Sequence, residues 1–514
     1  MDGLPTIPEY FAGKTVFMTG ATGFIGKVLV EKLLRSCPDV AKIYVLTRAK
    51  KGKSVEERIA RMFELPLFDL LRQTHPENLE KVVPVVGDVS ELHLGISAED
   101  RAVLVEKVNV VYHIAASVRF DDPVRVAIIM NIRGTREVVL LAKQMKRLEV
   151  LVHFSTTYCH TDKPIVEEKI YPPTTDWRQA IELAEKADPH VLQVLTAKYT
   201  HPFPNTYTFT KGLGEHVVND LCDGKIPAII IRPSIVSCTM VEPMPGWTDS
   251  FNGPVGIMVA AGKGVMRSTY SDPDVKLDTV PCDIMVKCAV VATWKNGLEM
   301  PKEKYGLRVY NCSGSESARF TTDDVQQIGK EILNEICLNG IIWNPNCCPT
   351  KNWYSYYFRV IFYQLLPAVF IDGLLMLLKK KPILIKIDRK IFIAHSALSY
   401  FMLNQWIFKN GETAALEKFL SSRDAGAFSY QWDHPLGEQY VYLKNCTMAA
   451  RRYLLHESDE TLPQARVHFK RMKVVSQVFN LVWYLAVLYL LYKMLLKVDV
   501  PAKLHSVQAY FESL

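Results

Sequence analysis

Short apolar runs alternate with helical patterns along roughly the first 240 residues of the chain. The runs are continuous rather than alternating in polarity, which is typical of strands buried on both faces of a sheet. This pattern predicts an α/β fold with a Rossmann-type, doubly wound, mostly parallel sheet. The predicted strands are Lys14–Thr19, Lys42–Thr47, Val82–Val86, Val108–Ile114, Val150–Ser155 and Ala228–Ile231, and the clearest helices are Lys27–Ser36, Val126–Met145 and Lys211–Leu221.

The rest of the chain consists of three stretches that differ in composition. Residues from about 240 to 350 are rich in proline and glycine and less regular, as expected of a lobe on the substrate side of the sheet. Residues 351–460 carry aromatic residues and apolar helical patterns, and residues 461–514 form a basic neck with a hydrophobic tail. We therefore predict a first domain over 1–350 that includes the lobe, a mainly helical domain over 351–460, and a tail.

Composition excludes several classes of protein. Hydrophobic residues make up 49% of the 514 residues and charged residues 22%, so the chain is not disordered. The net charge of +7 is mild, whereas nucleic-acid binding needs a dense basic face. The 11 cysteines are scattered without a Cys-x-x-Cys pair, so we expect reduced thiols, no metal site and a cytosol-facing protein. The N-terminus lacks the pattern of a secretory signal.

The mean hydropathy of +0.04 is high for a soluble protein, and a C-terminal segment contributes to it. Apart from tyrosine hydroxyls, Val478–Leu496 has only Asn480 and Lys493 as polar residues. A helix of this length is roughly 28 Å long, close to the thickness of a bilayer core. We predict a membrane anchor whose preceding basic residues lie in the cytosol. A buried core helix is the alternative.

A second apolar segment, Val360–Leu378, is interrupted by Gln364, Pro367, Asp372 and Gly373. These residues make a single straight span a poor interpretation. An amphipathic helix, or the wall of an apolar pocket, fits better. Basic residues beside it would meet lipid headgroups or ligand phosphates, or would form a solvated face: Lys379, Lys380, Lys381, Lys386, Arg389 and Lys390.

A glycine-rich turn joins the first predicted strand to the first helix. Its glycines are Gly20, Gly23 and Gly26, with the spacing G-x-x-G-x-x-G. The first glycine permits a tight turn, the second lets backbone approach a pyrophosphate, and the third permits close packing of helix and strand. The start of the helix presents unpaired N–H groups to the phosphates. The turn therefore predicts a dinucleotide site.

The end of the second predicted strand selects the cofactor. An acidic residue there would bind the ribose hydroxyls of NAD. This chain has Thr47-Arg48-Ala49-Lys50-Lys51 instead, and Arg48 can clamp a 2′-phosphate with charge-assisted hydrogen bonds. We predict NADPH, with Arg48 and Lys51 at the phosphate. The alternative is that these basic residues only form a solvated turn.

Other strand ends supply further candidates for the cofactor site. Asp88 follows the third strand, where it would bind the adenine amino group or cap the next turn. Ala115 and Ala116 follow the fourth strand and are small enough to let a cofactor pass close by. His113 lies in the same region, and we interpret it as a packed structural histidine rather than a base.

Tyr207 and Lys211 form a Tyr-x-x-x-Lys pattern, which places both side chains on one face of a helix. A nearby ammonium is expected to lower the pKa of the tyrosine, so that the hydroxyl exchanges a proton near neutral pH. Ser155, Thr156 and Thr157 end the fifth strand and offer a hydroxyl to the same carbonyl oxygen. Together these groups predict a site that stabilises an oxyanion beside a hydride donor.

These motifs resemble those of the extended short-chain dehydrogenases and, more closely, the fatty acyl-CoA reductases. The resemblance covers almost the whole chain in order, including the helical third stretch from Trp353 to about residue 450. The matching segments are Thr19-Gly20-Ala21-Thr22-Gly23-Phe24-Ile25-Gly26, Tyr44-Val45-Leu46-Thr47-Arg48, Phe154-Ser155-Thr156-Thr157-Tyr158-Cys159, Asn205-Thr206-Tyr207-Thr208-Phe209-Thr210-Lys211, Ile231-Arg232-Pro233-Ser234-Ile235-Val236, Asn252-Gly253-Pro254 and Val280-Pro281-Cys282-Asp283.

The resemblance implies a reduction of long-chain acyl-CoA to a primary alcohol through an aldehyde, with NADPH as donor. It assigns Tyr207 and Lys211 as catalytic, with Thr156 as the hydroxyl partner and Ser155 as the second choice. The residues it implies for cofactor binding are Thr19, Gly20, Thr22, Gly23, Phe24, Ile25, Gly26, Arg48, Lys51, Asp88, Val89, Ala115, Ala116, Asn131, Tyr207, Lys211, Pro233 and Ser234. The segment 178–200 departs from the family pattern, so acyl chain length stays open, as does the oligomeric state.

Two other functions compete with this interpretation. One is an extended dehydrogenase acting on a sterol, a nucleotide sugar or another lipid-like alcohol or ketone. The other is a catalytically silent scaffold that binds NADPH and membranes. We expect a membrane-anchored protein whose catalytic domain faces the cytosol, on the peroxisomal or endoplasmic reticulum membrane. The last residues, Glu512-Ser513-Leu514, lack the lysine of the Ser-Lys-Leu peroxisomal signal.

Overall fold

A computed structural model of the protein describes residues 4–49, 52–299, 306–314, 320–431 and 436–497, with only the backbone described at 436–437 and 494–497. Its strands are β1 Thr15–Thr19, β2 Lys42–Thr47, β3 Val82–Val86, β4 Val110–His113, β5 Val150–Phe154, β6 Ile165–Val166, β7 Ala228–Pro233, β8 Ile235–Ser237, β9 Ser268–Tyr270, β10 Thr279–Pro281, β11 Arg308–Cys312, β12 Cys348–Thr350 and β13 Ile407–Phe408.

Seven of these strands form one parallel sheet in the order β11-β7-β5-β4-β1-β2-β3. In β1, Val16 pairs with Ile43 of β2 on one side and with Val110 of β4 on the other. The winding direction of the chain reverses between β1 and β4, and a crevice opens at the carboxyl ends of parallel strands at such a point. The predicted doubly wound sheet is confirmed, and its ligand crevice lies where β1 meets β4.

Helices cover both faces of the sheet and build the C-terminal part. They are α1 Ile7–Phe11, α2 Phe24–Ser36, α3 Val55–Phe63, α4 Asp69–Thr74, α5 Ala98–Lys107, α6 Val124–Ile128, α7 Gly134–Ala142, α8 Trp177–Lys186, α9 Pro189–Thr200, α10 Thr206–Cys222, α11 Pro254–Gly262, α12 Cys282–Glu299, α13 Thr322–Glu335, α14 Trp353–Val360, α15 Leu366–Leu377, α16 Leu384–Leu403, α17 Gly411–Glu417, α18 Ser422–Phe428, α19 Leu436–Ala449 and α20 Leu462–Lys497. One π-helical turn, Ile129–Arg133, joins α6 to α7, and another, Ile361–Leu365, joins α14 to α15.

The six strands predicted from the sequence are all present, with ends shifted by at most two residues. The seventh, β11, was not predicted. Its polar Asn311 is fully buried. The side-chain amide donates to the carbonyl oxygens of Val166 and Lys409, which offsets the cost of burying its N–H groups. This strand pairs with β7 and extends the sheet with a segment from the stretch predicted to be irregular.

The C-terminal part folds back onto the sheet domain. Leu416, Phe428 and Tyr430 belong to the same buried hydrophobic cluster as the residues of β1 and α12. The Asp424 carboxylate accepts a hydrogen bond of 3.1 Å from the backbone N–H of Ile7, and β13 pairs with β6. The sheet and the segment from about 407 to 430 therefore share one core.

Two helices are long and apolar enough to cross a membrane by length and composition. They lie within Trp353–Leu377, with a mean hydropathy of 2.0, and Asp459–Lys493, with a mean hydropathy of 1.8. The first half of α20 packs on the body of the protein, where Ala465 and Phe469 are buried. From Val478 onward the described apolar side chains of α20 are mostly exposed, so the predicted tail helix extends away from the core.

Candidate active site

The glycine-rich turn brings three backbone segments into contact. Gly20 has a φ of +77°, and a Cβ there would lie 2.6 Å from the backbone N of Ala115 after β4. A Cβ on Gly26 would lie 2.3 Å from the Gly20 carbonyl oxygen. Both positions therefore require glycine, and the first turn of α2 points at the crevice with open N–H groups.

One cavity of about 1770 Å³ begins at this turn and continues past Tyr207 to the helices of the C-terminal part. Most predicted cofactor and catalytic residues line it: Gly20, Thr22, Gly23, Phe24, Ile25, Gly26, Arg48, Asp88, Val89, Ala115, Ala116, Ser155, Thr156, Tyr207, Pro233 and Ser234. Thr19, Asn131 and Lys211 are buried behind this wall. Lys51 lies outside the described residues.

Thr19 and His113 support the turn from behind the cavity wall. The Thr19 hydroxyl lies 2.8 Å from Nδ1 of His113 and accepts a hydrogen bond from the N–H of Ala115. Nε2 of His113 lies 3.0 Å from the Thr135 hydroxyl. Burial lowers the pKa of His113 to about 3, so the ring is neutral and acts as a packed structural histidine.

Asn131 connects the fourth strand to the helix that carries Tyr207. Its side-chain oxygen accepts from the N–H of Ser117 at 2.8 Å, and its amide donates to the Thr210 hydroxyl at 2.9 Å. The carbonyl of Ser117 accepts a second bond from the same amide. These contacts describe a residue that positions the loop after β4 against α10, behind the cavity rather than on its surface.

Two arginines face the predicted position of the ribose phosphate. Arg48 extends from the end of β2, is more than half exposed, and forms an ion pair of 2.8 Å with Asp88. Arg58 on α3 donates to the Thr22 hydroxyl at 3.1 Å and to the carbonyl of Arg48. The pKa of Arg58 is lowered by burial and by the positive charge of Arg48. Arg58 was not among the residues predicted from the sequence, where its only signal is a basic residue on the following helix.

Asp88 has both of its carboxylate oxygens engaged. Oδ1 accepts from the backbone N–H and the hydroxyl of Ser90, and Oδ2 accepts from Arg48. Burial acts to raise the pKa of Asp88, but these hydrogen bonds lower it below its ordinary value. Asp88 thus caps a turn at the cavity wall, the second of the two roles considered for it.

Tyr207 enters the cavity from the first turn of α10. Asn205 caps this helix, with its side-chain oxygen accepting from the N–H of Thr208 at 2.9 Å, which fixes where the helix begins. Burial raises the pKa of Tyr207, proximity to Cys159 adds to that, and a hydrogen bond with Thr156 opposes both. The tyrosine is therefore protonated at neutral pH, which suits a proton donor.

The hydroxyls of Thr156 and Ser155 point to different partners. The Thr156 hydroxyl is close enough to Tyr207 to oppose the rise of its pKa, and it donates a hydrogen bond to the carbonyl of Pro233 at 3.3 Å. The Ser155 hydroxyl lies 3.7 Å from the sulfur of Cys159. Thr156 is therefore the hydroxyl that the structure brings to Tyr207.

Lys211 lies one helical turn below Tyr207, but its ammonium donates to the backbone carbonyl of Phe154. Burial lowers the pKa of Lys211 to about 8, while Glu215 and Cys159 act in the opposite direction. The expectation that this lysine lowers the pKa of Tyr207 is therefore wrong for this arrangement, because burial of the phenol dominates and the ammonium is engaged elsewhere.

A buried ion pair lies beneath Lys211. Arg232 donates through Nε and Nη2 to the two carboxylate oxygens of Glu215, each at 2.7 Å, and Nε2 of His160 lies 3.2 Å from the same carboxylate. Burial acts to raise the pKa of Glu215, but Arg232 and His160 hold it well below its ordinary value. Glu215 follows Lys211 by four residues on α10, a helical spacing that could have revealed it from the sequence.

Cys159, His160 and Glu215 also have the residue types of a metal site. Their ligand atoms lie within 4.8 Å of one another, the only such group found among the residues that the structure describes. However, both oxygens of Glu215 already bind the Arg232 guanidinium. The group is therefore better described as a buried ion-pair network than as a cation site.

Two buried hydroxyls on the cavity wall have no hydrogen-bond partner among the described residues. They are the hydroxyls of Thr47, at the end of β2, and Ser234, after β7. Buried polar groups without a partner are uncommon, and at a cavity wall they indicate a polar ligand. With the glycine turn and the arginines, these hydroxyls fit a nicotinamide dinucleotide along the carboxyl ends of the strands.

Comparison with known proteins identifies the family. Two family models, both described as male sterility protein, match residues 18–289 and 363–457, and the first is an NAD-binding domain. Fatty acyl-CoA reductase 1 of Xenopus laevis is 36% identical over 475 residues, covering 92% of this chain and 91% of that protein. The human fatty acyl-CoA reductase 1 is 35% identical with the same coverage, and the Bos taurus fatty acyl-CoA reductase 2 is 33% identical over 478 residues.

The chain belongs to the fatty acyl-CoA reductase family. It is therefore an NAD(P)-dependent oxidoreductase, in agreement with the glycine turn and the Tyr207 constellation.

Solved structures show the same fold in more distant proteins. The terminal R domain from the myxalamid biosynthetic pathway aligns with a TM-score of 0.54 at 19% identity, covering 85% of this chain and 90% of that domain. The reductase domain of a nonribosomal peptide synthetase from Mycobacterium tuberculosis has the same TM-score at 18% identity, covering 87% and 93%. This member of the fatty acyl-CoA reductase family thus shares its fold with other reductase domains.

Proposed function

We propose that the protein reduces long-chain fatty acyl-CoA to a primary alcohol through an aldehyde, with NADPH as donor. One observation carries the proposal for the site. Tyr207 and Thr156 lie on the same continuous cavity as the glycine-rich turn, in a chain of the fatty acyl-CoA reductase family. Such a cavity can hold a dinucleotide at one end and an acyl chain at the other.

The bound cofactor supplies hydride, and the residues of the chain stabilise the oxygen that becomes negative. In the first reduction, hydride adds to the thioester carbonyl, and Tyr207 and Thr156 donate hydrogen bonds to the oxyanion. The oxyanion collapses, the C–S bond breaks, and CoA thiolate leaves with an aldehyde as product. In the second reduction, hydride adds to the aldehyde and Tyr207 gives its proton to the alkoxide, so that a primary alcohol forms.

Lys211 supports this chemistry from below. Its buried ammonium lies one helical turn from Tyr207 and is held by the carbonyl of Phe154. From there we propose that it contacts the nicotinamide ribose when the cofactor is bound. In the same buried region, the negative charge of Glu215 and the positive charge of Arg232 compensate each other through two hydrogen bonds of 2.7 Å.

The preference for NADPH over NADH rests on Arg48 and Arg58. Both guanidinium groups lie at the end of the cavity formed by the glycine turn, and a 2′-phosphate there would gain charge-assisted hydrogen bonds. The carboxylate of Asp88, which lies beside them, already pairs with Arg48 and with Ser90. A ribose without the 2′-phosphate would leave the positive charges of Arg48 and Arg58 close together, with less negative charge to compensate them.

The long-chain substrate follows from the apolar end of the cavity. Beyond Tyr207 the wall is formed largely by apolar residues of α11, α13 and α16: Val255, Met258, Val259, Leu333, Ile387, Ile391, Ala394 and Leu398. An acyl chain buried there gains hydrophobic free energy along its length. A sterol is the second candidate for an apolar wall of this size, although the family points to acyl-CoA.

We propose that α20 anchors the protein to a membrane with the catalytic part in the cytosol. The exposed apolar side chains from Val478 to Tyr492 support this, as do the basic residues on the preceding turns. The peroxisomal or endoplasmic reticulum membrane is the proposed location. Imaging of the full chain with markers for both organelles tests it.

The decisive experiment measures product from the full chain in membranes. Incubation with acyl-CoA of several chain lengths and NADPH, followed by lipid analysis, should give alcohol, and NADH should support much less turnover. Tyr207→Phe should lose alcohol formation by at least about 100-fold while nucleotide binding remains. If no alcohol or aldehyde forms from any acyl-CoA, the acyl-CoA proposal is wrong, and a sterol panel with the same cofactor tests the second candidate.

A further inference from the structure

Residues 353–403 form a helical hairpin that is held together by polar contacts. We call this segment the C-terminal hairpin. Near its tip, the Asp372 carboxylate accepts hydrogen bonds from three successive N–H groups, of Ile383, Leu384 and Ile385, at 2.9 to 3.0 Å. Further along, the amide of Gln364 donates to Asp388 at 3.1 Å.

The hairpin is also fixed to the body of the protein. Nε2 of His395 accepts from the N–H of Tyr270 at 2.8 Å, and the Gln364 side-chain oxygen accepts from the N–H of Arg267. The ring of Tyr356 lies 5.5 Å from that of His395. These contacts hold the two helical arms of the hairpin antiparallel to each other and against the lobe.

The burial pattern of the hairpin is the reverse of that of a water-exposed helix. Along α14, the π-helical turn and α15, every fourth residue is buried: Tyr356, Val360, Gln364, Ala368 and Asp372. Two of these five are polar, whereas the outward positions are apolar, and Phe370 and Leu377 are 67% and 80% exposed. The other exposed apolar residues of the hairpin that do not line the cavity are Trp353, Tyr354, Phe358, Ile361, Phe362, Leu365, Leu366, Val369, Leu374, Met376, Leu378, Ile383 and Ile385.

Polar residues inside and apolar residues outside are the arrangement of helices that face lipid. In water, an amphipathic helix buries its apolar stripe and exposes its charges. A contiguous exposed apolar patch of this extent is rare on a soluble monomer and marks an interaction surface.

The charge of the hairpin identifies the partner. Its two acidic residues, Asp372 and Asp388, are both buried, so its exposed formal charges are all positive. Lys379, Lys380 and Lys381 lie at the tip between α15 and α16, and Lys386, Arg389 and Lys390 follow on α16. Basic side chains beside an apolar face match a membrane surface with anionic headgroups.

We propose that the C-terminal hairpin inserts its apolar face into one leaflet of a membrane, as a contact separate from the tail helix α20. The lysines at the tip then lie among the headgroups. The inner side of α16, with Ile387, Ile391 and Leu398, lines the cavity that ends at Tyr207. This second part rests on the proposed function: the hairpin is the wall between the bilayer and the acyl end of the cavity, so long acyl chains enter from the membrane.

Photolabelling of the full chain tests the contact itself. The protein is placed in phosphatidylcholine vesicles, with and without phosphatidylserine, that contain a phospholipid with a carbene precursor on its acyl chain. Labelled peptides are then mapped by mass spectrometry. We expect label on residues 358–378 as well as on the tail, and more of it with phosphatidylserine. Label confined to the tail, or hairpin-to-hairpin crosslinks in place of lipid label, overturns the proposal.

Surface variants separate the membrane contact from folding and catalysis. The double variant F370Q/L377Q should lose most of the label on the hairpin, keep its thermal stability and keep nucleotide binding, because both side chains are exposed and neither lines the cavity. Val194→Gln is the matched control, since Val194 is 70% exposed on α9, and it should change nothing. Retention of label in the double variant overturns the assignment of these residues.

Substrate entry has its own measurement. In the double variant, reduction of a long-chain acyl-CoA presented in vesicles should fall several-fold, while reduction of a short, water-soluble acyl-CoA should be unchanged. Equal rates on both substrates overturn entry from the membrane but leave the photolabelling result intact. An unmodified protein that forms no alcohol refutes the proposed function, and the label still decides whether the hairpin contacts lipid.

Discussion

At the scale of single residues, the neighbouring hydroxyls of Thr156 and Ser155 differ in the groups that they face. Thr156 contacts Tyr207, whereas Ser155 faces the sulfur of Cys159. We expect Thr156→Ala to lower kcat by about 100-fold or more, as for the loss of one oxyanion donor. Ser155→Ala should cost much less. Steady-state kinetics with acyl-CoA measure both.

Thr156 also has a structural contact, since its hydroxyl accepts from the N–H of Tyr158 at 3.2 Å. Thr156→Ser keeps the hydroxyl and should restore most of the activity that Thr156→Ala loses. Equal losses in the alanine variants of Thr156 and Ser155 would contradict the assignment.

Arg58 is the residue that tests recognition of the 2′-phosphate. Loss of a charge-assisted hydrogen bond to a phosphate costs roughly 1.5–3 kcal/mol. Arg58→Ala should therefore raise KM for NADPH by about tenfold or more and leave KM for NADH nearly unchanged. Arg61→Ala, on the exposed side of the same helix α3, is the control. A parallel loss with both cofactors would show that Arg58 only supports the turn.

The pKa of Lys211, lowered by burial to about 8, predicts a pH dependence. The lysine is protonated below that pH in the folded protein, so kcat/KM should fall as pH rises through about 8 if its charge supports the ribose. Tyr207 does not explain such a fall, because burial raises its pKa. Kinetics across this range test it, and a flat profile to pH 10 would rule out a role for the charge.

The same lysine affects stability with the opposite sign. Its pKa in the folded protein, about 8, is below the ordinary value of 10.5, so between these values the unfolded chain binds more protons. For this group the free energy of unfolding therefore rises with pH over that window.

The sequence predicted the residues whose role depends on local spacing. The glycine turn and the Tyr207–Lys211 pair are patterns within a few residues, and each lies on the element that was expected. Arg58 and Arg232 were missed because their partners, Thr22 and Glu215, lie on other elements. Only the folded chain brings such residues together, so spacing alone could not assign them.

At the scale of elements, the junction of β1 and α2 depends on contacts between backbones. A Cβ at Gly26 would lie 2.6 Å from Cα of Ala21 as well as 2.3 Å from the Gly20 carbonyl oxygen. We expect Gly26→Ala to destabilise the protein by roughly 1–3 kcal/mol, as overpacking does, and to abolish nucleotide binding. Thermal unfolding and nucleotide titration measure the two effects.

Gly426→Ala is the matched control for that substitution. Gly426 lies in α18, and a Cβ there would meet nothing within 4 Å. The same change should leave stability equal or raise it by about 0.4–1 kcal/mol, because alanine has less freedom in the unfolded chain. Equal losses at both glycines would argue against the contact at the turn.

Element boundaries show what pattern reading missed. Helix α2 begins at Phe24, three residues before its predicted start at Lys27, because Gly23 caps it without a side chain. The strand β11 was missed because its buried Asn311 breaks the apolar pattern. The NH2 group of Asn311 donates to the carbonyls of Val166 and Lys409, which are distant in sequence.

At the scale of the whole molecule, α20 joins a docked half to an exposed half. Arg466 and His468 hydrogen-bond to the carbonyl oxygens of Glu335 and Ile341, whereas the side chains from Val478 on are mostly exposed. Because α20 is the proposed anchor, ending the chain after Gln477 should keep the fold and make the protein extractable from membranes by alkaline carbonate. The comparison is made with F370Q/L377Q in both forms, which removes the hairpin contact, and equal resistance to extraction would then contradict the anchor.

The order of the domains was easier to predict than their contacts. The stretches 1–350 and 351–460 follow changes in composition, and we keep them as the proposed domains. However, the segment that contains Leu416 and Phe428 lies in the core of the sheet domain. The sequence pattern shows where composition changes along the chain. It does not show which later segment packs into the core of an earlier domain.

The continuous cavity separates two exchanges that the proposed reaction must make. One end is lined by the glycine turn and the other by α16, so spent nucleotide and acyl chain are held by different parts of the wall. A four-electron reduction needs a fresh nucleotide midway, while the aldehyde is still present. An acyl chain held at the far end can stay bound while the nucleotide is replaced. The enzyme would then carry out both reductions without releasing the reactive aldehyde.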